Sequence, residues 1–178
     1  ANDIDPRYSP DGRYLAYRAM HRPGFEADKL DLILYDRQKK SIINLTENLD
    51  YSLSEFIWSP DSQTIYCLSE EKARTALFAL KLATGKIEKI LAGQMVSSLQ
   101  ISPDGKIIYL VKQTLNHPND IYSFELKTRK LKQLTDINGE LLASLEMNPA
   151  EDFYFDSEGD KIHGLLLRPP FFDSARKY

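Results

Sequence analysis

Tyr8-Ser9-Pro10-Asp11-Gly12, Trp58-Ser59-Pro60-Asp61-Ser62 and Ile101-Ser102-Pro103-Asp104-Gly105 are three copies of one element, with serines 50 and then 43 residues apart. Proline presets φ for the second position of a turn, and Asp with Gly or Ser fills the positions that favour short polar or permissive residues. After each turn comes an apolar or alternating run, Tyr14 to Tyr17, Thr64 to Leu68 and Ile107 to Val111, rich in β-branched and aromatic residues. Such runs bounded by turn formers are strands. A repeat of this period is the mark of a four-stranded propeller blade.

Working outward, each copy is followed by a second hairpin. Leu77 to Ile87 aligns without a gap on Ile121 to Leu131, and the first copy has the looser equivalent Leu32 to Asp36, Arg37 to Ser41 and Ile42 to Thr46. The copies close on Asn44-Leu45-Thr46, Lys89-Ile90-Leu91 and Gln133-Leu134-Thr135. Each repeat therefore supplies about four strands, as a blade requires. Between Ser69 and Leu82 the match to the third repeat predicts a loop and then a strand. The expected fold is all-β: about three four-stranded antiparallel blades, near residues 8–50, 58–92 and 101–136. A partial fourth copy is expected to start at Met147-Asn148-Pro149. Three blades leave open edges that invite self-association.

After Asn148 the pattern changes. Pro149 to Asp152 is a polar break of the kind that separates domains. Phe153 to Asp156, the turn Ser157 to Asp160 and Lys161 to Arg168 then form a hairpin outside the repeat, ended by Pro169-Pro170. The expected division is 1–148 for the blades and 149–178 for a linker and the hairpin that begins another domain.

Composition narrows the function classes. With 42% hydrophobic and 28% charged residues in 178, the chain has material for a core. A net charge of -3 carries no basic footprint for nucleic acid, and the apolar runs have strand length, too short for a helical membrane span. Cys67 is the single cysteine, so neither an internal disulfide nor a cysteine metal cluster is expected. His21, His117 and His163 show no paired ligand spacing, and no metal or other cofactor is expected. His117, before Pro118, is taken as a structural turn residue. A periplasmic, secreted or cytoplasmic setting fits equally well.

The chain resembles the prolyl oligopeptidase family of serine peptidases, in its bacterial dipeptidyl- and acylaminoacyl-peptidase branch. The resemblance rests on Arg22-Pro23-Gly24-Phe25-Glu26-Ala27-Asp28, Asn44-Leu45-Thr46, Phe56 to Asp61, Pro118 to Tyr122 and the closing stretch Glu151 to Pro170. It implies a propeller that caps a C-terminal α/β-hydrolase domain, gates a site acting on short peptides, and is followed by the hairpin opening that domain. No two of the eight glycines bracket a serine at nucleophile-elbow spacing, so no residue here is expected to be catalytic. The candidates for the substrate cleft or an interdomain contact are Arg22, Phe25, Glu26 and Asp28, since binding residues concentrate on loops of a rigid scaffold. Glu70-Glu71 could meet a peptide N-terminus, although two solvated acids in a turn are commoner. The rival reading is a TolB-like propeller that binds proteins or sugars.

Overall fold

The computed structural model describes residues 2–177. Ala1 and Tyr178, the outer bounds of the two expected segments, lie outside the described residues. The first sheet has the order β1-β2-β3-β4 (Asp3–Tyr8, Tyr14–Ala19, Asp31–Asp36, Ser41–Asn44). A second sheet of seven strands follows as β5 to β11 (Leu53–Trp58, Thr64–Glu71, Arg74–Lys81, Lys86–Ile101, Ile107–Thr114, His117–Glu125, Lys130–Gln133). All neighbours are antiparallel. The seven-stranded sheet is two blades joined by one strand: β8 pairs with β7 through Lys86 to Gln94 and with β9 through Met95 to Ile101. Gly93, at φ +71°, sits at the changeover, where a left-handed residue lets the strand turn without steric cost. Three blades of four strands result.

The Ser-Pro-Asp element closes each blade's first hairpin by the same bonds. Ser9 Oγ donates to Asp11 Oδ1 (2.6 Å) and accepts from Tyr14 N (2.9 Å), while Asp11 Oδ1 accepts from Arg13 N (3.0 Å). Ser59 with Asp61 and Ser102 with Asp104 repeat the pattern. The fourth position is left-handed in all three copies, at φ 70°, 60° and 70°. Ser62 occupies it where the others have glycine, and its Oγ accepts the Asp11 N–H of the neighbouring blade at 3.1 Å. That bond offsets the strain of a side chain in this region.

The cores lie between blades. Ala16, Leu32 and Leu34 of blade 1 pack with Phe56, Ile65, Cys67 and Phe78 of blade 2. Ile57, Leu68 and Leu77 on the opposite face of blade 2 pack with Leu99, Ile108 and Phe124 of blade 3. Period-two alternation thus sends each blade's apolar residues both ways, and a fully buried side chain of this size contributes about 1.5–3 kcal/mol. Bonds cross the same seams: Arg18 Nη1 donates to Leu53 O (2.9 Å), and Glu55 accepts from Ser98 N and Leu99 N (2.9 and 2.8 Å).

A second recurring device ties the third strand of a blade to its outer edge. Thr46 Oγ1 donates to Asp31 Oδ1 (2.9 Å) and accepts from Leu32 N (2.9 Å). Thr135 Oγ1 does the same with Asp120 Oδ1 (2.6 Å) and Ile121 N (2.9 Å). Blade 2 has Ala76 and Leu91 at the corresponding positions, with Ala76 fully buried and Leu91 opposite Leu77 in register.

The predicted loop after Ser69 is instead strand on both sides. β6 and β7 pair without interruption from Thr64/Lys81 to Glu71/Arg74, around a two-residue turn with Lys72 and Ala73 at φ 51° and 56°. Positive φ at both centres matches the right-handed twist of the strands, which is why a tight hairpin tolerates it. Around the expected fourth copy, α1 (Gly139–Ala143) and an irregular stretch follow β11, with no strand before β12 (Glu151–Ser157). β12 pairs with β13 (Asp160–Leu166), from Glu151/Leu166 to Ser157/Asp160. Within it, Gly164 faces Phe153, whose ring would lie 2.4 Å from any Cβ there.

Candidate functional site

The connections between second and third strands carry the candidate residues. In blade 1 this is the loop 20–30. Asp28 gathers it: Oδ2 accepts from His21 N (2.8 Å) and Arg22 N (2.7 Å), and Oδ1 from Arg22 Nε (3.0 Å). The Arg22 amide, with burial working against it and the Arg22 side chain and His21 amide reinforcing it, holds the Asp28 carboxyl at about 2. The Arg22 guanidinium lies over Phe25, 4.0 Å from the ring centre, and Phe25 is 44% exposed. Three of the four residues singled out from the sequence thus form one cluster, presenting a cation stacked on an aromatic plate. Glu26 is exposed beside an open concavity bordered by Asp28, Lys29 and Tyr51.

Tyr51 leads to the acids of blade 2. Its hydroxyl donates to Glu71 Oε1 (3.0 Å), and Lys89 Nζ pairs with Glu71 Oε2 (2.6 Å). Lys89 first, then Tyr51, hold the Glu71 carboxyl below its ordinary value, while Glu71 pushes the Tyr51 phenol up. Glu71 is therefore committed to protein partners, and Glu70 is exposed.

Sequence reasoning missed Arg74. Placed at the start of β7 by the Lys72-Ala73 turn, it pairs with Asp152 Oδ2 of β12 at 3.0 Å. Asp152 Oδ1 lies 2.8 Å from His163 Nε2 of β13, whose ring stacks on Tyr154 with centroids 4.7 Å apart. The hairpin is thus fastened to the blade 2 tip. A groove of about 210 Å³ runs beside this junction, bordered by Arg74, Gln94, Met95, Leu115, Pro149 and Leu165. No local motif announces the Arg74–Asp152 pair, because its members are 78 residues apart. Chemically, the junction offers charge and hydrogen bonds. Among the described residues no serine hydroxyl is bonded to the His163–Asp152 pair, whose hydrogen bond and ion pair orient β13 against β12 and blade 2.

No protein-family model matches the chain. Over 177 residues it is 29% identical to dipeptidyl-peptidase 5 of Porphyromonas gingivalis and 32% identical to that of Porphyromonas endodontalis, each match covering 99% of this chain and 26% of the relative. It is 30% identical to a probable dipeptidyl-peptidase 5 of Aspergillus clavatus, over 97% of this chain and 25% of that protein. The chain thus spans about a quarter of these relatives. Among solved structures, the Pyrococcus horikoshii acylaminoacyl peptidase superposes with a TM-score of 0.74 at 17% identity, covering 89% of this chain and 24% of that one. TolB from Acinetobacter baumannii does so with 0.56 at 15%, covering 94% and 41%. At such identities the likeness is one of fold. No helix among the described residues is long and apolar enough to cross a membrane.

Proposed function

We propose that this chain, which belongs to the prolyl oligopeptidase family as a propeller segment, is the non-catalytic side of a serine peptidase that hydrolyses short peptides. The reading is carried by sequence likeness to dipeptidyl-peptidase 5 proteins along 99% of the chain, blades and hairpin alike. Residues 149–178 open the hydrolase domain, and the blades shape and gate its cleft. The loop carrying Arg22, Phe25, Glu26 and Asp28 borders that cleft, where a stacked guanidinium suits a peptide carbonyl or carboxylate. The Arg74–Asp152 pair joins the two parts.

The test uses the whole protein that carries this segment. It is expected to be labelled by a fluorophosphonate and to release dipeptides from dipeptidyl-coumarin reporters, whereas this chain by itself does neither. A folded whole protein without serine labelling or reporter cleavage overturns the reading, as does turnover by the isolated chain. Tyr109, Ile121 and Leu134 leave the outer face of blade 3 apolar and exposed. The isolated chain is accordingly expected to self-associate in light scattering, and a strict monomer at high concentration counts against that.

A further inference from the structure

The buried acid that ties a blade's third strand to its edge meets a different charge environment in each blade. In blade 1, Lys29 Nζ lies 2.8 Å from Asp31 Oδ1 and also donates to the carbonyls of Thr46, Glu47 and Leu49 (3.1, 3.2 and 2.9 Å). A compact cation thus sits among four oxygens. Blade 2 has Ala76 and requires none. Blade 3 keeps the acid: Asp120 is 2% exposed and accepts from Thr135 Oγ1 (2.6 Å), Ile137 N (3.3 Å) and Gln133 Nε2 (3.4 Å). Two residues before it stands Pro118, where blade 1 has Lys29, so the ammonium has no counterpart. Asp120 therefore rests on neutral donors alone at the place where Asp31 also has an ammonium, and a cation beside it would add to what those donors provide.

Two other ligating side chains stand there instead. His117, Asp120 and Asp136 each offer one atom within 4.8 Å of the others. His117 Nδ1 is 3.8 Å from Asp120 Oδ2. That is too long for a hydrogen bond, but it suits two ligands of one ion, since bonds of about 2.0–2.2 Å place them about 3–4 Å apart. The Asp136 carboxylate lies against Gly139, in space that a side chain there would fill, since a Cβ would fall 2.2 Å from Asp136 Oδ2. The sequence suggests only a turn role for His117, because Asp136, the third member, lies beyond β11 on a separate segment.

We propose that blade 3 binds a divalent first-row cation through His117 Nδ1, Asp120 Oδ2 and Asp136, the ion standing where the Lys29 ammonium stands in blade 1. An imidazole with two carboxylates suits zinc or manganese, whereas calcium asks for six to eight oxygens. Binding takes Nδ1 away from Pro118 O, 3.0 Å distant, and leaves the ring proton on Nε2. The ion ties β10 to the segment leading through α1 to the hairpin, and so stiffens the connection between blades and hairpin.

The experiment is calorimetric titration of the chelator-stripped whole protein with Zn²⁺ and, separately, Mn²⁺. One equivalent of at least one ion is expected to bind, with affinity falling by more than about tenfold in Asp136→Asn and His117→Ala, since losing even an outer-shell partner of a metal ligand costs about that much. Pro118→Lys supplies the blade 1 solution, and is expected to abolish binding while amide-exchange protection of β10 and β11 persists. That separates loss of the site from loss of the fold. Binding that all three variants leave unchanged marks an adventitious ion elsewhere and overturns the proposal. Absence of binding by both ions overturns it as well.

Discussion

Blades 1 and 3 fasten their outer strands through a buried Asp bonded to a Thr, whereas blade 2 carries Ala76 and Leu91 at those positions, packed into the cores on its two faces. The same four-stranded frame therefore accepts a polar or an apolar solution at one place. Either is stable when complete, because a buried polar group costs little once every partner is present and much when one is removed. The difference teaches that the polar blades are the vulnerable ones, and that their acids tie blade stability to charge.

The largest effect that would break this comparison is expected from Asp31→Ala. It leaves the donors of Lys29, His21, Asn44 and Thr46 without their shared acceptor, and is expected to cost blade 1 about 3 kcal/mol in urea unfolding. A cost below about 1 kcal/mol would make the polar arrangement dispensable. Acid should act in the same direction more gently. Burial pushes the Asp31 carboxyl up, but Lys29, Asn44, His21 and Thr46 together hold it lower, and Thr135 leads the groups that lower Asp120. Both folded-state values lie below the unfolded ones, so their contribution is present above about pH 4 and is lost as pH falls through the lowered values. In hydrogen exchange, β4 and β11 should lose protection below that pH before β7 does. The acids of blade 2, Glu71 on β6 and Glu88 on β8, sit in partly exposed pairs that contribute little. Simultaneous loss in all three blades would contradict the contrast.

Two substitutions sharpen it further. Thr135→Val alone, which removes the shortest bond to the Asp120 carboxylate and leaves the Ile121 amide without its acceptor, should cost about 1–2 kcal/mol. Asp120→Ala with Thr135→Leu copies blade 2 and should restore the urea midpoint; a double variant as weak as the single one would show that the apolar solution does not transfer. The smallest effect concerns the blade 2 tip. Lys72→Asn with Ala73→Gly relieves two left-handed side-chain residues and should add about 0.5–1 kcal/mol, read as a higher melting temperature.

The blades were legible because their determinants are local. Ser, Pro, Asp and Gly at fixed offsets make a turn with their own bonds, and alternation then fixes which residues enter which core. The clasps were half visible: Asn44-Leu45-Thr46 and Gln133-Leu134-Thr135 stood out as strand ends, but their partners Asp31 and Asp120 are supplied from another strand. The β6–β7 turn is not legible in the sequence, because Lys72-Ala73 lacks the glycine or asparagine that usually marks two left-handed residues. Of the site, Arg22, Phe25 and Asp28 lie within one loop and could be chosen together. Arg74 with Asp152, and His117 with Asp136, meet only through the fold.

The gating proposed for these blades would show itself in how cleavage by the whole protein depends on substrate length. For the whole protein, kcat/KM should be measured on a dipeptidyl reporter and on the same dipeptide heading a long unfolded polypeptide. Gating predicts a fall of more than about tenfold for the long substrate, a loss of transition-state access. Equal values for both substrates would contradict the account.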